Sequence, residues 1–167
     1  MTPKELKGHK KSLKRLTKVP QFSKLTRNKL PKPFKHIGGP RFQSTGLVDV
    51  SDTHAVVFYW RNGEILTDTA FYGHLMCRLK NSLVPVFEFH WHPSHKGFHC
   101  KVPCKTDANY TDRLLPGAPE FSIKTKRLDP RNEGDRIELI YTFCLACGIS
   151  FGQGIDSPQL PLDTLGE

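Results

Sequence analysis

The sequence predicts an α+β domain: a mostly antiparallel sheet built from hairpins with one packed helix, preceded by a basic N-terminal arm. Three observations lead there. Runs rich in β-branched and aromatic residues, 55–61 (AVVFYWR) and 84–91 (VPVFEFHW) among them, recur between Gly, Pro and Asn breaks. One segment, 69–80, repeats apolar residues at helical spacing. The charge is divided: residues 1–45 hold 13 Lys and Arg against the one acid Glu5, while the remaining 122 residues hold 12 basic and 15 acidic side chains. A chain of 167 residues can bury one core. The expected division is a basic arm over 1–45, an α+β domain over 46–151 and a flexible acidic tail over 152–167.

The arm opens with a helix signature. Thr2 is a suitable N-cap, Pro3 suits the first helical position and Glu5 completes a capping box. Leu6, Leu13 and Leu16 fall on one face of that helix, and Pro20 ends it. Residues 22–42 then read as an extended linker, with Pro31, Pro33, Pro40 and Gly38-Gly39. Phe22, Phe34 and Phe42 alternate with cations there, which suits stacking on bases and equally suits docking of the arm on its own domain. Lys10, Lys11, Lys14, Arg15, Lys18, Lys24, Arg27, Lys29, Lys32, Lys35 and Arg41 are the candidate phosphate contacts.

In the domain, 55–61 is a strand and Asn62-Gly63 a hairpin turn, with 64–67 returning so that Arg61 faces Glu64 and Trp60 faces Ile65. Asp68 or Thr69 caps a helix whose Phe71, Leu75 and Leu79 recur at i, i+4 and i+8. Cys77 reads as a small residue near the core and His74 as a surface histidine. A second hairpin has strands 86–91 and 98–102 around the turn 93–97. Alternation puts Phe87, Phe89 and Trp91 on a core face and Glu88, His90 and His92 on the other. Residues 106–119 read as a loop, 120–126 as a strand and 128–134 as a turn. The last strand is 136–144, with Ile137, Leu139, Tyr141 and Phe143 on one face.

The second hairpin carries the densest chemistry. Glu88, His90, His92, His95 and His99 are the candidate catalytic residues. Imidazole and carboxylate groups can hold zinc or another divalent metal that activates water. Without a metal, the same groups can serve as general base and acid in RNA cleavage. The His90-Trp91-His92 triplet locally resembles the metal-binding strand of the HUH class of single-strand nucleases. The sequence predicts no tyrosine-rich helix after it, Tyr110 reading as loop and Tyr141 as strand, so the class is not assigned.

Cys144-Leu145-Ala146-Cys147-Gly148 has the form of a zinc knuckle, to which Cys100 and Cys104, or His95 and His99, could add ligands. The alternative is that Cys144 and Cys147 are small buried residues flanking a turn.

These features suggest an intracellular, cytoplasmic protein that binds RNA or DNA, and a nuclease if the hairpin is catalytic. The alternative is a non-enzymatic, zinc-stabilised interaction protein: a ribonucleoprotein component, or an inhibitor or regulator of a nucleic-acid enzyme from a mobile element. A protein partner fits that alternative. Membrane binding is not expected, since no apolar run approaches a spanning length. The odd count of five cysteines argues against a secreted disulfide framework.

Overall fold

A computed structural model describes residues 2–80, 82–93, 97–101, 109–111 and 128–152, with 97–101 and 109–111 as backbone. In chain order the elements are α1 (Pro3–Lys11), β1 (Arg15–Leu16), β2 (Ser23–Lys24), a 3-10 turn (Phe34–His36), β3 (Phe42–Asp49), β4 (His54–Arg61) and a second 3-10 turn (Leu66–Asp68). They continue with β5 (Ala70–Leu79), β6 (Ser82–His92), β7 (Gly97–Lys101), β8 (Asn109–Thr111), α2 (Glu133–Ala146) and β9 (Ser150–Phe151). Strands β2 to β8 form one seven-stranded sheet in sequential order, antiparallel throughout. β1 and β9 pair in parallel as a separate ribbon. The expected α+β class with a mostly antiparallel sheet is therefore observed.

The central strands are buried on both faces. On one face Val56, Phe58, Trp60, Phe71, Leu75, Phe87, Phe89 and Trp91 form the main core with Leu139, Ile140 and Phe143 of α2. Phe143 is the keystone of that contact, with its ring 5.1 Å from Phe58 and 6.0 Å from both Phe87 and Phe89. Gly73 permits this approach, because a Cβ there would lie 3.0 Å from the Phe143 ring. On the other face Val57, Tyr59 and Met76 pack under Leu25, Leu30 and Phe34.

Several sequence expectations are corrected. Residues 69–80 are not a helix: 70–79 is the central strand β5. A spacing of four satisfies period 2 as well as period 3.6, and Phe71 and Leu75 do share a face, that of the sheet. The 136–144 strand is instead part of α2, started by Asn132, whose side chain accepts from the Gly134 and Asp135 amides. α2 buries Leu139, Ile140, Tyr141, Phe143, Cys144 and Ala146, so much of its circumference is apolar and its periodicity is weak.

Asn62-Gly63 does not close a two-residue hairpin. β4 pairs with β5 instead, Trp60 opposite Phe71 and Arg61 opposite Ala70. The return segment 64–67 is a loop in which the Gly63 amide donates to Thr69 Oγ1 at 3.2 Å. That pairing buries Phe71, whereas Ile65 and Leu66 stay 60% and 40% exposed. Within 106–119, residues 109–111 are strand β8 rather than loop. The expected strand 120–126 and the tail beyond Gly152 lie outside the described residues.

The basic segment is not a free arm, nor does the fold begin at Gly46. Leu6 and Leu16 enter the main core, and Leu25, Leu30 and Phe34 cover the opposite sheet face. The capping box is present as expected, with Thr2 and Glu5 bonded reciprocally. The helix stops at Lys11, well before Pro20, and leaves Leu13 88% exposed.

What stops it is Lys14. This lysine is 1% exposed, and its ammonium donates to the carbonyls of His9, Lys10 and Ser12. It caps the negative end of the helix dipole. Lys14 is thereby removed from the set of phosphate contacts.

The end of α1 meets the end of α2 at Gly148. This residue has φ +65° and ends α2 in a Schellman motif, with Gly148 N–H donating to the Leu145 carbonyl and Ile149 N–H to that of Cys144. A Cβ at Gly148 would collide with the Lys10 carbonyl. Gly148→Ala should therefore destabilise the protein by about 2 kcal/mol or more, read as a lowered urea midpoint at unchanged m value.

Candidate functional site

β6 and β7 pair antiparallel, with His90 opposite His99, Glu88 opposite Lys101 and His92 opposite Gly97. Phe87, Phe89 and Trp91 are buried in the main core, and Glu88, His90 and His92 lie half-buried on the opposite face. The neighbouring strand β5 adds groups that the sequence reading did not place with this cluster. Register sets Tyr72 opposite His90 and His74 opposite Glu88.

The result is a polar row. His90 Nε2 is 3.6 Å from Glu88 Oε2, and His74 Nδ1 is 3.9 Å from Glu88 Oε1. The Tyr72 ring stands edge-on to both His90, at 4.9 Å, and His92, at 5.7 Å. The centroids of the His90 and His92 rings are 6.3 Å apart.

His74 is buried, not a surface residue. The Phe34 ring lies 4.5 Å from it, and Tyr59 stacks on its other neighbourhood at 5.4 Å. Burial pushes its imidazole pKa down to about 3, against an opposing pull from Glu88. Burial also raises the pKa of Tyr59, which therefore keeps its proton. Tyr59 Oη and His74 Nε2 share a hydrogen bond of 3.1 Å, and His74 Nδ1 lies 3.9 Å from Glu88 Oε1. His74 Nδ1 is buried without a hydrogen-bond partner among the described residues. The row thus has a dry, neutral end at Tyr59 and His74 and a solvent-reached end at His90 and His92.

The loop covering His74 is basic. It runs from β2 to β3 and closes on itself through Leu25 N–H to the Phe42 carbonyl and Gly39 N–H to that of Leu25, both 2.9 Å. Leu25, Leu30 and Phe34 point to the sheet, while Lys24, Arg27, Lys29, Lys32, Lys35 and Arg41 are exposed. Of the other predicted phosphate contacts, Lys11, Arg15 and Lys18 are exposed and Lys10 is half-buried.

Of the predicted zinc-knuckle ligands, Cys144 and Cys147 are the ones whose side chains the structure describes. They are fully buried, in and just after the last turn of α2. Burial drives the Cys144 pKa well up. Gly148 is there to end the helix, so the knuckle-like spelling has a structural cause. Cys100 lies in β7, opposite Phe89. His95 and Cys104 lie outside the described residues.

A different group converges. His9, His54 and Cys77 bring three ligand atoms within 4.8 Å of one another, and this His-His-Cys group could hold a metal ion. His9, His54 and Cys77 are far apart in sequence, so no local spacing pattern joins them. Glu88, His90 and His92 do not converge to that degree among the described residues.

No helix among the described residues is long and apolar enough to cross a membrane. No family model matches the chain, and no curated protein or solved structure matches it either.

The buried histidine makes stability pH-dependent. His74 stays neutral in the fold down to about pH 3, whereas an unfolded chain protonates it near 6.5. The unfolded state binds the extra proton between those values, so stability falls as pH drops from about 6.5 toward about 3. His74→Gln should remove about 2 kcal/mol of the loss between about pH 7 and about pH 5, seen as a flatter dependence of the urea midpoint on pH.

Proposed function

We propose that the protein binds single-stranded RNA and cleaves it by metal-independent acid–base chemistry at Glu88, His90 and His92. One observation carries this reading: the titratable row and a loop of five exposed cations, preceded by Lys24 of β2, occupy the same sheet face, joined through the Phe34–His74 contact. Phosphates would follow the loop's cations and bring the strand to the exposed end of the row.

The chemistry follows from the residues present. His90, steadied by Glu88, takes the proton of a ribose 2′-hydroxyl. The freed oxygen attacks the adjacent phosphorus, and the 5′-oxygen leaves with a proton from His92. The products are a 2′,3′-cyclic phosphate and a 5′-hydroxyl. The 6.3 Å between the imidazole centroids leaves room for one phosphate between base and acid. Loop cations offset the charge that builds on the phosphorane. The requirement for a 2′-hydroxyl makes RNA, and not DNA, the substrate.

The observation that favours a non-enzymatic role instead is the closed fit of the basic loop on the sheet, which a passive RNA-binding surface would also use.

Single-stranded RNA and DNA of one sequence, incubated with the protein and a chelator, test the proposal. RNA alone should be cut, leaving cyclic phosphate ends, and His90→Ala or His92→Ala should slow cutting at least 100-fold. Intact RNA with the parent protein, or cutting unchanged in both variants, overturns the catalytic reading. Binding is tested separately. Arg27→Gln, Lys29→Gln and Lys32→Gln together should reduce the slope of log affinity against log salt by about 2.

A further inference from the structure

We propose that His9, His54 and Cys77 form a zinc site that fastens helix α1 to the end of the sheet. The ligands come from three elements: His9 from the last turn of α1, His54 from the start of β4 and Cys77 from near the end of β5. His54 and Cys77 are register partners, so the strand pairing itself sets them side by side. Helix α1 then brings His9 Nδ1 to 2.9 Å from His54 Nε2.

The spacing suits a small tetrahedral ion. Bonds of about 2.05 Å to nitrogen and about 2.3 Å to sulfur put two imidazole nitrogens about 3.3 Å apart, and nitrogen and sulfur about 3.6 Å apart. The observed nitrogens need to part by only a few tenths of an ångström, and the sulfur already lies within the 4.8 Å limit of the group.

The surroundings fix the ligands. His54 Nδ1 meets Thr53 Oγ1 at 2.9 Å and Ser51 Oγ at 3.4 Å, and the Ser51 hydroxyl is itself held by the His54 amide at 3.0 Å. These hydroxyls accept from Nδ1–H and leave the Nε2 lone pair facing His9. Two imidazoles and a thiolate are the ligand set of a borderline-soft cation, which selects zinc over magnesium or calcium. Cys77 gives up its proton to solvent on binding. A water completes the fourth position. The ion would reinforce a helix whose only leucine contact with the main core is Leu6.

Chelator-treated full-length protein titrated with zinc, and separately with cobalt, tests this. The expected result is one zinc per chain and a higher thermal midpoint. Trypsin cleavage after Lys7, Lys10 and Lys11 should slow, and cobalt should give a thiolate charge-transfer band. Cys77→Ser should abolish the band, and His9→Gln should weaken zinc binding at least ten-fold. His9 is half-buried, so that variant carries the test if Cys77→Ser does not fold. Failure to bind zinc overturns the site, as does binding unaffected by both substitutions. Zinc lost only in His90→Ala or His92→Ala would move the ion to the other face and equally overturn it. Neither result bears on RNA cleavage, which is assayed with chelator present.

Discussion

The fold depends on covering both faces of strands β4, β5 and β6. Val56, Phe58 and Trp60 alternate with Val57 and Tyr59 along β4, so neither face can be left to water. The amphipathic demand is met from opposite ends of the chain. α2, late in sequence, fills the first face with Phe143 at its centre, and the loop between β2 and β3 covers the second. An antiparallel meander would ordinarily expose one side; this one cannot, and the basic loop is folded because the sheet needs it.

The second cover is incomplete, and its edge creates the candidate site. Leu25, Leu30 and Phe34 shield Val57, Tyr59, Met76 and His74. Beyond Phe34 the same face continues into Glu88, His90 and His92, which are half-buried. Desolvation therefore grades along one row of side chains. At the covered end a histidine is held neutral against a protonated tyrosine. Toward the open end the carboxylate of Glu88 stands between two imidazoles.

The N-terminal and C-terminal parts interlock at a second place. Lys14 caps α1, its carbonyl accepts from Ser150 N–H at 3.0 Å, and Gly148 makes room for the end of α1. This junction lies beside His9 and His54, whose rings meet edge to face at 5.2 Å. A helix of nine residues would be marginal alone. Here it is held by a buried ammonium, Leu6 and a histidine contact.

Sequence alone determined the features that depend on near neighbours. The Thr2–Glu5 capping box and the opposed faces of Phe87, Phe89 and Trp91 against Glu88, His90 and His92 are local consequences of backbone geometry. Tertiary structure decided the rest. Phe71, Leu75 and Leu79 fit a helix and a strand equally, because four is a multiple of two, and only pairing with β4 and β6 selects the strand. Asn62-Gly63 lost to a pairing that buries more apolar surface. The partners of His9, His54, Cys77 and His74 are distant in sequence, so their convergence could not be read along the chain. Polar residues acquire their ionisation and their ligands from what folds over them, and that is a property of the packed molecule.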